Sequence, residues 1–458
     1  MKKYSILSPC GILGYGFPEA SFLKGMSLHP DVVVVDAGST DAGPHKLGAG
    51  VSIVSRMAAR KDLEIILVNA AEKGIPVIIG SAGGAGARVH VEWTLDIIYE
   101  ILRDNRISGK LAVIFSDMDK EGIKESIRRK EIYPMGSNIP PLSEETVDQT
   151  GDIVAQMGHE PVVRALEDGA DIVVCGRAYD PSVFAAPGIR EGFDPGLCYH
   201  MGKVLECGAL CAEPGTAKDC ILGTLYEEYF TVRALNPERH CNVTSVAAHT
   251  FYEKENPCIL HGPGFTLDLR DCSFSQEDED TVAVRGSRFW PDQAYKVKLE
   301  GARRAAYRTF VIGAVRDPIL LDRLEEIEEK VRKSVTAYLK EIPQRTYRMN
   351  FINYGKNGIM GELEPEEFHG HEVCVLFEAL ADTQETADAV CACMRSTFLH
   401  CDYAGRKSTA GNLAFPYAPS DIPFGPVYEF SVYHLMQIAD GRSAFPIFYR
   451  EYREGEAV

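Results

Sequence analysis

The sequence predicts an α/β protein with an N-terminal parallel sheet flanked by helices, followed by a β-rich α+β domain and a small C-terminal α+β unit. Within the first 220 residues, each short β-branched or apolar run is followed by a polar loop and then by a segment with helical spacing of apolar residues. This repeated order is typical of a parallel sheet with helices on both faces. From residue 221 onward, short alternating segments separated by turns indicate antiparallel strands.

Buried strands are predicted at four places in the N-terminal part. The clearest one contains four consecutive valines that run into Asp36, and such a run is typical of a strand buried on both faces. The helix that follows should end at Gly74, because glycine readily adopts the left-handed conformation that terminates helices. The predicted strands are 32–35, 75–79, 111–115 and 171–175.

The length of the chain predicts more than one domain. Its 458 residues exceed what one small core organises, so we expect two or three domains. The pattern changes near residue 220, and it changes again after a long amphipathic helix, where a strand, a helix and a strand close the chain. The predicted domains are 1–220, 221–365 and 366–458.

The charge balance argues against some classes of partner. With 48 basic and 66 acidic residues the net charge is −18, so we expect no binding to nucleic acid or to anionic membranes. No secretory signal is recognised, no window holds the roughly 18 apolar residues that span a bilayer, and the thirteen cysteines lack zinc-site spacing. We therefore expect a cytoplasmic protein with reduced thiols. A homo-oligomer is expected, and whether a small accessory subunit joins it is left open.

The loop after the valine strand is the first candidate for catalytic residues. Asp36, Ser39, Thr40 and Asp41 follow a buried strand directly, and ligands gather at the carboxyl ends of parallel strands. The two carboxylates are candidate proton-transfer groups, and together they are also candidate ligands for Mg²⁺ or another divalent cation. The alternative is a polar turn that only caps the next helix.

A glycine-rich loop follows the second predicted strand. Gly80, Ser81, Gly83, Gly84 and Gly86 are candidate substrate-binding residues, because such a turn exposes backbone N–H groups to an anion. The spacing matches neither the dinucleotide fingerprint nor the phosphate-binding loop of ATPases, so no nucleotide cofactor is expected. The alternative is a simple close-packed turn.

Two further segments supply candidate residues. Arg177 and Asp180 follow the fourth predicted strand, and Arg177 suits a planar carboxylate, although an Arg177–Asp180 ion pair that braces the loop is the alternative. Glu206 lies in an apolar helix, where a carboxylate needs a partner or a raised pKa, and it is a candidate catalytic residue. His200 and Cys207 would share a face of that helix, but core packing explains such a cysteine more simply.

Several longer sequence motifs, spread over nearly the whole chain, resemble those of one protein family in the same order. They include LGYGF, DAGSTDAGP, IIGSAGGAG, CGRAYDPSVFA, FDPGLCYHMGKVLECGALC, SVAAHTFYE, YGKNGIMG and NLAFPYAPSD. Together they resemble the acyclic terpene utilisation AtuA-like family. The resemblance implies a role in the breakdown of acyclic terpenes, which proceeds through branched acyl-CoA thioesters. It assigns no catalytic residues.

The loops and the resemblance together predict a catabolic enzyme that acts on a small carboxylate or its CoA thioester. We expect a lyase of the hydratase type, which adds or removes water beside the carboxyl group. A hydrolase or acyl transferase with Ser39, Ser81 or Cys207 as nucleophile is a weaker alternative, since no GxSxG motif is present. A non-catalytic ligand-binding or scaffold subunit is the third hypothesis.

Overall fold

The structure is a computed structural model that describes residues 2–38, 43–252, 255–407 and 411–452. It confirms the predicted mixed α/β class, with a large sheet that contains parallel strands and is flanked by helices. The chain forms two compact units, Met1–Arg303 with Phe430–Val458, and Arg304–Glu429. The three predicted domains stay a prediction.

The strands of the described residues are given in chain order. They are β1 Lys3–Ser8, β2 Val32–Asp36, β3 Val77–Gly80, β4 Gly109–Ile114, β5 Ile132–Pro134, β6 Ile153–Ala155, β7 Ile172–Cys175, β8 Ile221–Tyr226, β9 Phe230–Ala234, β10 Ile259–Gly262, β11 Phe265–Asp268, β12 Ser273–Asp278, β13 Thr281–Arg285, β14 Arg288–Pro291, β15 Lys296–Val315, β16 Tyr347–Tyr354, β17 Val373–Ala381, β18 Asp421–Gln437 and β19 Ile447–Tyr452.

The helices of the described residues are also given in chain order. They are α1 Glu19–Ser27, α2 Pro44–Ala49, α3 Arg56–Lys73, α4 Arg88–Asp104, α5 Lys120–Arg128, α6 Glu144–Gln149, α7 Glu160–Glu167, α8 Asp180–Arg190, α9 Pro195–Leu205, α10 Val243–Thr250, α11 Pro318–Asp322, α12 Leu324–Tyr338 and α13 Gln384–Leu399. None of these helices is long and apolar enough to cross a membrane.

A ten-stranded sheet organises the first unit. Its order is β12-β13-β9-β8-β1-β2-β3-β7-β4-β19, and the five strands from β1 to β4 in this order are parallel. The flanking strands are antiparallel, so β8, β9, β13 and β12 extend the sheet on one side and β19 extends it on the other. The predicted parallel sheet is therefore the centre of a larger mixed sheet.

The valine strand is buried on both faces, as predicted. Val32 and Val34 pack into one hydrophobic cluster with residues of α8 and α9, whereas Val33 and Val35 pack into a second cluster with residues of α1, α3 and α4. Alternate residues of a strand point to opposite faces, so only an all-apolar run serves two helical layers. The helix α3 ends at Gly74 in the left-handed conformation, which confirms that prediction.

The helix α9 is shorter than its apolar pattern predicts. It ends at Leu205, and Gly208 follows with φ +59° and a backbone packed tightly against Gly11. A glycine at positive φ ends a helix readily because it has no side chain that would clash. Glu206 is therefore the C-cap residue, and the predicted shared helix face of His200 and Cys207 is wrong, because Cys207 lies beyond the helix.

The second unit has its own core. Within it β17 pairs with β16 and with residues 307–315 of β15, in antiparallel register. The apolar faces of α12 and α13 pack on this sheet around buried residues such as Phe377 and Phe398. The predicted strand at 372–381 and the helix after it are confirmed as β17 and α13.

Candidate active site

The carboxyl ends of three parallel strands bring the main candidates together. Asp36 is the last residue of β2 and pairs in register with Gly80, the last residue of β3. Ser81 follows β3, and its Oγ lies 2.9 Å from Nη1 of Arg177, which follows β7. Parallel register places these strand ends at one edge of the sheet, which is where ligands bind in such folds.

Arg177 is almost completely buried and is held by two carboxylates. Its Nε lies 3.0 Å from Glu300 Oε2, and its Nη1 lies 2.9 Å from Asp180 Oδ1. Nη1 also donates to Ser81 Oγ and to the carbonyl of Ala178. The ion pair that was the alternative role of Arg177 is therefore present. Binding of a substrate carboxylate by Arg177 stays a prediction.

Glu300 is a central residue of this site that the sequence did not single out. It lies in β15, accepts from Arg177 and Gln156, and pairs with Lys298 at 2.8 Å. Burial by itself raises the pKa of Glu300, but the charges of Arg177 and Lys298 lower that pKa below its ordinary value. The signal in the sequence was an acidic residue between Leu299 and Gly301, in a segment where lysines and apolar residues alternate.

Asp36 is buried with one oxygen unsatisfied. Its Oδ2 accepts from the N–H of Gly38 at 3.2 Å, whereas Oδ1 has no hydrogen-bond partner among the residues that the structure describes. A Cβ on Gly80 would lie 2.7 Å from Oδ1, so glycine at this position leaves room for the carboxyl group. Asp36 therefore presents a free oxygen beside the glycine-rich loop.

The surroundings of Asp36 favour its protonated form. Burial is the main cause that raises its pKa well above 3.8, and the negative charges of Asp180 and Glu206 raise the pKa further. Arg177 and the N–H of Gly38 act in the opposite direction but do not offset the burial. A protonated carboxyl group can donate a proton to a reacting oxygen.

The glycine-rich loop is tightly packed. The N–H groups of Ala82, Gly84 and Gly86 donate to carbonyl groups of the protein, and Ser81 adopts a positive φ of 42°. Gly83 and Gly86 also have positive φ and approach other chain segments closely. These contacts are those of a close-packed turn, which was the alternative to anion binding. Anion binding by this loop stays a prediction.

Replacing Gly86 by alanine is expected to destabilise the site measurably. A Cβ there would lie 2.2 Å from the backbone nitrogen of Arg177, and φ is +69°. Gly74→Ala is the matched control, because Gly74 has φ +63° and no heavy atom within 4 Å of an added Cβ. Urea unfolding should show that Gly86→Ala costs about 1–3 kcal/mol more than Gly74→Ala. Equal costs would contradict the tight packing.

Glu206 has a buried partner. Lys203 Nζ lies 2.7 Å from Glu206 Oε1, one helical turn earlier, and both side chains are buried. This pair meets the expectation that a carboxylate in an apolar helix needs a partner. The spacing of a lysine and a glutamate three residues apart was the signal for Lys203, which the sequence interpretation passed over.

Three of the predicted residues lie outside the described part of the chain. They are Ser39, Thr40 and Asp41, and Asp41 belongs to the predicted metal pair with Asp36. Among the described residues, no group of three or more His, Cys, Asp or Glu side chains could hold a metal ion. The predicted metal pair stays a prediction.

A protein-family model matches most of the chain. It is described as acyclic terpene utilisation family protein AtuA and matches residues 56–219 and 232–418. The match confirms the family resemblance that the sequence motifs indicated. Searches of the curated proteins and of the solved structures found no match.

Proposed function

The chain belongs to the acyclic terpene utilisation family AtuA, and on that premise we propose that it is a catabolic enzyme for a small carboxylate or its CoA thioester. The proposed reaction is the addition or removal of water next to the carboxyl or thioester group. The observation that carries this proposal is Asp36, a buried carboxyl group with a raised pKa and a free Oδ1 at the edge of a parallel sheet.

The proposed role of Asp36 is that of general acid. In the direction of dehydration, its proton passes to the hydroxyl oxygen of the substrate, the carbon–oxygen bond breaks, and water leaves. A base removes the proton from the neighbouring carbon, and that electron pair forms the double bond. Arg177 and the glycine-rich loop are the proposed anchors for the carboxylate or thioester oxygen.

The experiment is ¹H NMR of the purified protein in D₂O with malate, citrate and 3-hydroxybutyryl-CoA as probes. Formation of the unsaturated product, with deuterium entering the carbon next to the carboxyl group, supports the proposal. Asp36→Asn should lower turnover by about 10²–10⁴-fold while the thermal midpoint is retained. Full turnover by Asp36→Asn would remove Asp36 from the mechanism, and inactivity of the wild type towards all probes would overturn the proposed reaction.

Covalent catalysis by Ser81 is the weaker proposal on this geometry. Ser81 Oγ accepts from Arg177 Nη1 and from the N–H of Ala178, at 2.9 and 3.2 Å. Donors of this kind hold the hydroxyl as an acceptor, whereas a serine nucleophile needs a base that takes its proton. A covalent adduct in the intact mass after addition of 3-hydroxybutyryl-CoA would reverse this ranking.

A divalent cation bound at the same edge of the sheet is the alternative to a protonated Asp36, because a carboxylate that coordinates a cation cannot at the same time donate a proton. The unpartnered Oδ1 of Asp36 and the nearby charges of Asp180 and Glu206, which Arg177 only partly offsets, support a Mg²⁺ ion shared with Asp41. Because Mg²⁺ competes with the proton on Asp36, it should raise the thermal midpoint more at pH 8 than at pH 6. NaCl of equal ionic strength and Asp36→Asn are the controls. A shift that is equal at both pH values, or equal in Asp36→Asn, would contradict this site.

The remaining partner and location predictions stand as proposals. The net charge of −18 supports a small-molecule ligand rather than nucleic acid or an anionic membrane. Cytoplasmic location, assembly into a homo-oligomer and the alternative of a small accessory subunit stay predictions.

A further inference from the structure

A second group of buried polar side chains lies next to Glu206. His249 is in the last turn of α10, is only 6% exposed, and stacks on the ring of Tyr252 with centroids 5.8 Å apart. The Nζ of Lys203 lies 5.7 Å from the centre of the same tyrosine ring. The Lys203–Glu206 ion pair thus lies beside the aromatic ring on which His249 stacks, and Glu206 is itself a candidate catalytic residue whose charge raises the pKa of Asp36.

His249 has a buried ring nitrogen that is not used in holding the fold. Its Nε2 is inaccessible to solvent and has no hydrogen-bond partner within the described ranges. His200, which is also buried, differs because its two ring nitrogens lie 2.7 Å from Ser287 Oγ and 3.1 Å from Thr250 Oγ1. A buried polar atom without a partner is costly, so retention of such an atom beside a candidate active site points to a role in ligand binding or chemistry.

We propose that His249 is the base of the reaction, which takes the proton from the carbon next to the substrate carboxyl or thioester group onto Nε2. This assignment rests on the proposed function and adds its second proton-transfer residue. Glu206 is less suited to that step, because its Oε1 accepts from Lys203 Nζ at 2.7 Å and an ion pair with a lysine makes a carboxylate a weaker base.

The protonation states of the two groups support this division of roles. Burial, and then the charge of Lys203, lower the pKa of His249 to about 4, so its imidazole is neutral at neutral pH. Asp36 is shifted in the opposite direction, which favours its protonated form. Two titratable groups whose surroundings move their pKa values apart are the usual arrangement of an acid and a base.

The proton and electron balance of the step is complete. The carbon–hydrogen bond breaks and its proton goes to His249, while its electron pair forms the carbon–carbon double bond. The carbon–oxygen bond breaks as the hydroxyl takes the proton of Asp36 and leaves as water. The enzyme returns to its starting state when His249 gives up its proton and Asp36 takes up one, so the cycle neither gains nor loses a proton.

The test compares His249→Gln with His200→Gln in the same D₂O assay with malate, citrate and 3-hydroxybutyryl-CoA. We expect His249→Gln to lose deuterium exchange and turnover by about 10²–10⁴-fold with little change in thermal midpoint. His200→Gln should show the reverse, a lower thermal midpoint and nearly full activity of the folded protein, since it removes structural hydrogen bonds. His249→Asn, which places its amide nitrogen near the position of Nδ1, is made in parallel in case the glutamine variant does not fold.

The outcomes separate this assignment from the proposed function. Deuterium exchange by folded His249→Gln and His249→Asn within threefold of the wild-type rate would overturn the role of His249 and leave the proposed reaction standing. Absence of exchange and turnover in the wild type would overturn the proposed reaction, and the assignment of His249 with it.

Discussion

Replacing Arg177 by methionine is expected to lower the free energy of unfolding by about 3–5 kcal/mol, because it leaves the buried carboxylate of Glu300 without its arginine partner. The same change removes the donor to Ser81 and the pair with Asp180. Urea unfolding with an unchanged slope and a lower midpoint would measure this cost.

Two control variants identify the origin of that loss. Arg177→Met combined with Glu300→Gln should recover much of the stability, because the amide carries no charge that needs compensation. Arg128→Met breaks an exposed pair with Glu144 and should leave the midpoint almost unchanged. If Arg177→Met costs as little as Arg128→Met, the buried network does not stabilise this edge of the sheet.

The local pattern of the sequence predicts the central strands because a strand that is buried on both faces consists almost entirely of apolar residues. The valines of β2 and the isoleucines of β3 have to face a helical layer on each side. The choice of neighbouring strand in the sheet does not restrict residue type in this way. Ile6 pairs with Val32 on one side and with Gly223 on the other, and nothing in the neighbourhood of either residue in the sequence indicates this arrangement.

In the candidate site, too, contacts between residues close in the sequence could be predicted, whereas long-range contacts could not. The Arg177–Asp180 pair was foreseen as an alternative because the two residues lie three apart. Glu300 comes from β15, more than a hundred residues later, and the sequence around it does not reveal which arginine it meets. His249 was missed for a related reason, since an unused ring nitrogen becomes evident only when all neighbours are in place.

Replacing Asp36 by asparagine is expected to change how stability depends on pH. Because the pKa of Asp36 is raised in the folded protein, the contribution of this group to stability is fully present below its ordinary value of 3.8. That contribution is lost as the pH rises towards the folded pKa, since the unfolded chain releases the proton first. The wild type therefore bears a cost near neutral pH that Asp36→Asn, which has no proton to release, does not.

The difference in unfolding free energy between Asp36→Asn and the wild type should consequently move in favour of the variant, by about 1.4 kcal/mol for each pH unit above 3.8 until the folded pKa is reached. Urea midpoints measured from pH 4 to pH 8 give this difference directly. Other carboxyl groups with raised pKa values, such as Asp62 and Asp117, are present in both proteins and cancel. Asp96→Asn, on the exposed face of α4, is the control variant measured in the same way. A flat difference for Asp36→Asn would mean that Asp36 is ionised in the folded protein, and Asp36 could not then serve as the proton donor.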